Sequence, residues 1–126
     1  MSDTTRIDQL RRRVEADPAS FAFAALAEEY RKTGRFDDAI ATCRSGLERH
    51  PSYVSARAIL GRALIEVGAL DAAREAFDTV LRAAPDNLAA LRGLAEVHRR
   101  REIAALERVL VSVQARRNTP STALGR

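Results

Sequence analysis

A pattern that returns after 34 residues constrains this chain more than any other feature. Residues 20–51 read SFAFAALAEEYRKTGRFDDAIATCRSGLERHP, two short amphipathic segments hinged at Gly34 and closed by Pro51. Shifted by 34, Leu26 falls on Leu60, Gly34 on Gly68, Asp37 on Asp71, Ala39 on Ala73, Leu47 on Leu81 and Pro51 on Pro85. A fixed period of this size marks a stacked-helix array, in which each unit buries its apolar face only against its neighbours.

The residues within each round specify the helices. In the first, Ser20 is a candidate N-cap for a helix carrying Phe23, Leu26, Ala27 and Tyr30 at helical spacing. Gly34 supplies the left-handed residue that closes it, and Asp37 and Asp38 place negative charge at the start of the next helix. Ala39 is small where two helices approach, and Ile40, Cys43 and Leu47 continue the stripe to Pro51. In the second round Ser52 is the candidate cap, and Arg57, Leu60, Gly61 and Leu64 take the places of Phe23, Leu26, Ala27 and Tyr30. Gly68 turns the chain, Asp71 opens the partner helix, and Ala73, Phe77, Val80 and Leu81 pack until Pro85.

The ends of the pattern depart from it in different ways. Thr4 or Thr5 caps a predicted helix over residues 4–16, with Ile7, Leu10 and Val14 as one narrow stripe and Pro18 beyond it. At a shift of 33, Ile7, Leu10, Arg11, Val14, Glu15 and Pro18 fall on Ile40, Cys43, Arg44, Leu47, Glu48 and Pro51. The segment therefore reads as the second half of a repeat, covering the open end of the stack. In the third round Leu88, Leu91, Leu94, Ala95 and His98 form the expected buried face of a first helix, but the turn glycine is missing. Ala105, Leu106, Val109 and Leu110 match Ala76, Phe77, Val80 and Leu81 at a shift of 29, so five residues of the turn are gone. With no Gly or Pro between Gly93 and Pro120, the spacing predicts one helix from about Asn87 to Arg116, roughly 43 Å long at 1.5 Å per residue; a cramped hairpin near Arg101 is the alternative. The tail 117–126 is expected to be disordered.

These residues resemble the tetratricopeptide-repeat family, whose 34-residue unit carries a Leu–Gly pair, a Tyr, an Ala, a Phe and a closing Pro. The Leu–small pair stands as Leu26–Ala27, Leu60–Gly61 and Leu94–Ala95, the aromatic as Tyr30, the central alanine as Ala39 and Ala73, the Phe as Phe77, and the proline as Pro51 and Pro85. Phe23 and Arg57 replace the usual Trp, Leu64 the Tyr and Cys43 the Phe; the Arg57 guanidinium must reach water from a semi-buried position. The resemblance implies an all-α helix–turn–helix solenoid over residues 3–116. It would hold full repeats at about 20–51 and 54–85, a half repeat in front, and a degenerate third at 88–113 fused into one long helix.

The resemblance further implies a non-enzymatic interaction adaptor that takes a peptide or protein in a concave groove lined by the first helix of each pair. The residues so placed are Phe21, Ala24, Glu28, Arg31 and Lys32, then Ser55, Ile59, Arg62, Ile65 and Glu66, then Ala89, Arg92, Glu96, Arg99 and Arg100. Their mixed charge suits a partner carrying both signs, with Arg forks on its carboxylates. The family's clamp for C-terminal carboxylates uses Lys and Asn on these faces; Ala24 and Glu28 stand there instead, which argues against chaperone tails.

Composition narrows the other function classes. The net charge is +4 and the pI about 10.2, which makes RNA, DNA or another polyanion the alternative partner. Lys32 is the sole lysine, so the arginine excess reads as codon bias in a GC-rich genome. The triplets Arg11–Arg13 and Arg99–Arg101 each wrap around their helix and lack an aromatic platform for bases. The longest apolar run, Phe21 to Ala27, is too short to span a bilayer, and the N-terminus has no apolar signal core. With a single cysteine, a cytoplasmic location is expected. Cys43 sits in an apolar stripe, His50 at a helix end and His98 in the place of Tyr30, with no shared metal-ligand spacing. Glu28–Glu29 and Asp37–Asp38 read as solvated or capping charges. No phosphate loop is present, so neither catalysis, metal nor cofactor is expected. A continuous third-round helix would leave Leu106, Val109, Leu110 and Val113 beyond the array, an apolar stripe that invites a homodimer.

Overall fold

Within each complete pair of helices the chain reverses at a left-handed glycine. Gly34 has φ 81° and Gly68 φ 80°, a region that costs a residue with a side chain about 1–2 kcal/mol. At each turn two N–H groups bond back over the end of the helix: Gly34 to the Arg31 carbonyl (3.1 Å) and Arg35 to Tyr30 (2.8 Å), then Gly68 to Ile65 (3.0 Å) and Ala69 to Leu64 (2.9 Å). This double closure satisfies carbonyls that a helix end otherwise leaves open.

The computed structural model describes residues 3–119 as six helices: α1 (Asp3–Ala16), α2 (Ala22–Lys32), α3 (Phe36–Arg49), α4 (Val54–Glu66), α5 (Leu70–Ala83) and α6 (Leu88–Arg117). Each packs on the next in sequence, and the first helices of successive pairs also touch, α2 on α4 and α4 on α6, whereas α3 and α5 do not. Inner helices in contact with outer helices held apart make a stack curved toward α2, α4 and α6. The architecture is the all-α superhelix expected from the repeat, and the third round is a single helix. α6 extends to Arg117 with Asn118 as its C-cap, one residue into the segment expected as tail; the expectation for 120–126 lies outside the described residues.

The core follows the repeat. Phe23, Leu26, Ala27, Tyr30, Ala39, Ile40, Cys43, Leu47, Leu60, Leu64, Ala73, Phe77 and Val80 are all buried. α1 rests on α2 through Ile7 and Leu10, with Val14 partly buried. That is the position α3 holds on α4, as the shift of 33 implies. Two glycines receive one fully buried ring: a Cβ at Gly61 would lie 2.6 Å from Phe77 and one at Gly93 2.3 Å from it. Phe77 is thus clasped between α4 and α6, and Phe23 is seated on Gly46 in the same manner.

Several local expectations are corrected. Thr4 and Thr5 lie inside α1, which already begins at Asp3, so neither is an N-cap. Phe21, not Ser20, is the N-cap residue of α2, though the Ser20 hydroxyl oxygen accepts the Ala22 N–H at 3.0 Å from one position further back. Tyr53 occupies the cap of α4 without a side-chain bond, so Ser52 does not cap. Asn87 does cap α6, accepting from the Ala90 N–H at 2.9 Å. Glu29 is buried rather than solvated, bound by the Arg6 Nε of α1 at 3.0 Å.

The largest correction concerns α6. The face expected to be buried is open: Leu88 is 57% and Leu91 46% exposed, Ala95 and His98 are exposed, and Leu94 is half-buried. Ala90, Gly93 and Val97 are buried in their place. The expected face is the one that a second helix of the same pair would cover, as α5 covers Leu60, Gly61 and Leu64 of α4. α6 has no such helix, so only the side facing α4 and α5 is buried.

Candidate functional site

On the inner side α2, α4 and α6 enclose a cleft of about 350 Å³. Its α4 wall is Arg62, Ile65 and Glu66, its α6 wall Ala89, Arg92, Gly93, Glu96 and Arg100, and Arg31 closes it from α2. The small residues Ala89 and Gly93 keep the floor open between the longer side chains.

The acids here are already engaged. Glu28 is held by Arg31, whose Nε lies 3.2 Å from Oε1, and Arg62 stands 4.0 Å away. Glu96 accepts from Arg100 Nε at 2.7 Å and from Arg99 Nε at 2.9 Å. Those bonds, that from Arg99 foremost, hold the Glu96 carboxyl down at about 2. Arg100 also reaches Glu66 at 3.5 Å and the Ile65 carbonyl at 3.4 Å. Arg92, by contrast, is exposed and has no hydrogen-bond or ion-pair partner among the described residues. Arg62 has only its long approach to Glu28. The cleft therefore presents two available guanidinium groups above carboxylates that are already satisfied.

Of the residues placed by sequence on the groove, the structure gathers Arg31, Arg62, Ile65, Glu66, Ala89, Arg92, Glu96 and Arg100 into this cleft, with Glu28 adjoining. Ile65 is buried (4% exposed) and acts as wall rather than reaching surface. Ala24 is likewise buried, and Ile59 packs against the core. Phe21 stands elsewhere, its ring 3.9 Å from that of His50 and 5.1 Å from that of Tyr53 at the α2–α4 edge. Lys32 reaches back to Glu29 at 3.9 Å, and neither Ser55 nor Arg99 lines the cleft. Gly93 was missed; its signal was a glycine inside an otherwise strong helical run.

The remaining candidate chemistry is structural. His50 Nε2–H donates to the Ala19 carbonyl at 2.6 Å, latching the end of α3 to the segment before α2. Burial, with a smaller contribution from Glu28, pushes the Cys43 thiol up to about 12; its Sγ–H donates to the Ala56 carbonyl at 3.5 Å. His98 is exposed on the open face of α6 instead of packing at a core edge. Arg57 reaches outward as expected, donating to the Pro51 carbonyl at 2.9 Å. Among the described residues no group of three His, Cys, Asp or Glu converges to hold a metal ion, and no helix is long and apolar enough to cross a membrane.

A tetratricopeptide-repeat family model matches residues 24–87 and again 60–111. The chain belongs to the tetratricopeptide-repeat family. Solved tetratricopeptide-repeat domains agree. The second such domain of human RPAP3, in complex with the HSP70 peptide SGPTIEEVD, is 30% identical with a TM-score of 0.70, over 73% of this chain and 78% of that one. The first domain of human RPAP3 is 23% identical with a TM-score of 0.76, over 84% and 83%. The first domain of Spaghetti (RPAP3), bound to the HSP90 peptide SRMEEVD, is 23% identical with a TM-score of 0.74, over 77% and 78%. At 23% identity, the last two speak to fold. Among curated proteins, bacteriophage adsorption protein A of Escherichia coli strain K12 is 31% identical over 94 residues; the tetratricopeptide-repeat chain spans 10% of that relative's length.

Proposed function

We propose that this tetratricopeptide-repeat domain is a non-enzymatic interaction module whose inner cleft binds a peptide segment carrying acidic side chains. The observation that carries the reading is the charge left over in the cleft: Glu28, Glu66 and Glu96 are bonded within the domain, while Arg92 is unpartnered and Arg62 nearly so. A planar guanidinium favours a carboxylate, which it grips through two parallel N–H bonds. The second domain of human RPAP3, at 30% identity, holds a peptide that contains two Glu and one Asp, which supports the same class of ligand. The mixed-charge partner expected from the sequence narrows to an acidic one, because the cleft's own carboxylates are occupied. The arginines from 99 to 101 are bound to Glu96, Glu66 and Asp71, which leaves few of them for a phosphate backbone.

The test uses a fluorescein-labelled Glu-rich decapeptide and its Gln and Lys counterparts, read by fluorescence anisotropy. The Glu peptide binds, the others do not, and Arg92→Glu or Arg62→Glu weakens binding by about 10-fold or more, the value of one charged hydrogen bond. Equal binding of the Gln peptide defeats the reading. Binding to generic RNA or DNA that collapses between low and physiological salt would instead place the chain among polyanion binders.

A further inference from the structure

The third pair of helices is incomplete, and its missing half is present in the chain at the wrong place. On α4 the outer face is sealed by α5: Leu60 is 7% and Leu64 3% exposed, and Phe77 lies on Gly61. One repeat later, the same face of α6 is bare at Leu91, Ala95 and His98. The residues that should seal it are Ala105, Leu106, Val109 and Leu110, which repeat Ala76, Phe77, Val80 and Leu81 of α5. In an unbroken 30-residue helix they cannot fold back, and they stand in solvent, Leu106 62%, Val109 61% and Leu110 58% exposed.

We propose that two copies of this chain pair antiparallel through α6, the distal half of each taking on the other the place that α5 takes on α4. The internal repeat sets the register. Phe77 sits on Gly61, and their equivalents are Leu106 and Ala95, so Leu106 of one copy covers Ala95 of the second. The two-fold axis then passes between Arg100 and Arg101. That register sets Leu91 opposite Leu110, Leu88 opposite Val113, and Arg99 opposite Glu102, each twice by symmetry. Apolar residues meet apolar ones, and the central pair is opposite in charge, with Arg99 shared between Glu102 of the second copy and the Glu96 it already holds on its own helix. Arg100 and Arg101, also at the axis, are turned back onto Glu66 and Asp71 of their own copy. A two-fold interface must be self-complementary, and this face is so about one point. A foreign helix would need to reproduce the α5 pattern; a second copy already carries it. The pairing uses the outer side of α6, so the inner cleft stays open.

The experiment joins oligomeric state to register. Ala95 and Leu106 are about 16 Å apart along one helix, beyond the roughly 4.4–6.8 Å Cα separation a disulfide tolerates, so a bond in Ala95→Cys/Leu106→Cys forms only between copies. Cys43 is buried and does not compete. Light scattering is expected to give twice the chain mass at micromolar concentration, and oxidation of the double-cysteine variant to trap that dimer quantitatively. Leu106→Asp should give a monomer with unchanged helical content by circular dichroism. Arg99→Glu and Glu102→Arg should each weaken the dimer about 10-fold, and the two together should restore it. A monomer at high micromolar concentration overturns the proposal. So does a dimer in which the two cysteines fail to cross-link, or one that the charge exchange does not rescue.

Discussion

Residues 64–70 and residues 98–104 start from equivalent places in two successive rounds and end in opposite structures. In the first, Gly68 takes φ 80°, two N–H groups bond back to Ile65 and Leu64, and α5 returns along α4. In the second, Glu102 stands where the glycine would be, five residues are gone, and the helix continues through it. The cost of the lost turn falls on side chains: one face of the third unit loses its cover, and four α5-like residues lose what they should cover. A turn in an array therefore decides more than direction. It decides which apolar surface is paired within the chain and which remains for another.

The comparison can be broken hardest at the ring both regions share. Phe77→Ala removes a fully buried side chain clasped by Gly61 of the complete pair and Gly93 of the incomplete one. It should cost about 3–5 kcal/mol, read as a lowered midpoint in urea unfolding; a loss below about 1 kcal/mol would show that the clasp is not tight. At the complete turn, Gly68→Ala puts a Cβ into the left-handed region with open space around it. A loss of about 1–2 kcal/mol is expected from backbone strain alone, and no loss would mean that the turn relaxes. Glu102→Gly tests whether the residue type alone separates the two regions. A hairpin also needs the missing five residues, so the expected result is a straight helix weakened by about 1 kcal/mol, with circular dichroism nearly unchanged; a marked fall in helicity would contradict it.

The smallest effects are in titration. Glu96 has a folded value lowered to about 2 from 4.5, so its contribution is present above about pH 4.5 and is lost as pH falls toward 2. Carboxyl NMR should find Glu96 still ionised well below the ordinary carboxylate range, and Arg99→Ala should bring it back toward the ordinary value. Cys43 has the opposite sense: its folded value is raised from 9.0 to about 12. Stability declines as pH rises through that window, and thiol reagents at neutral pH should label the thiol only on unfolding.

Much of the fold was legible because repeat, turn and stripe are local properties of sequence. Gly34 and Gly68 have the freedom a left-handed turn requires, and Phe23, Leu26, Tyr30, Phe77 and Val80 recur at spacings that permit one buried face. The N-cap residues were less legible. Ser20 bonds the Ala22 N–H from one position before the cap, Tyr53 stands in the cap place in front of α4 instead of Ser52, and Asn87 caps α6 directly, because the cap depends on where the preceding turn delivers the backbone. The cleft was half legible. The equivalence of Glu28, Arg62 and Glu96, one repeat apart, brought them to one side, but Phe21 was drawn off by the rings of His50 and Tyr53, a contact between residues distant in sequence.

By itself the sequence determined the 34-residue period, the two glycine turns inside complete pairs, and the one round that lacks such a turn. Those follow from backbone sterics and from periodicity, which act over a few residues. Only the tertiary structure decided which side of α6 is buried. Its large apolar residues mark one face, but burial went to Ala90, Gly93 and Val97, because small residues let the helix close on Phe77 while the larger ones wait for a partner helix. Packing rewards surfaces that can meet, and a sequence shows which residues are apolar before it shows which of them have anything to meet.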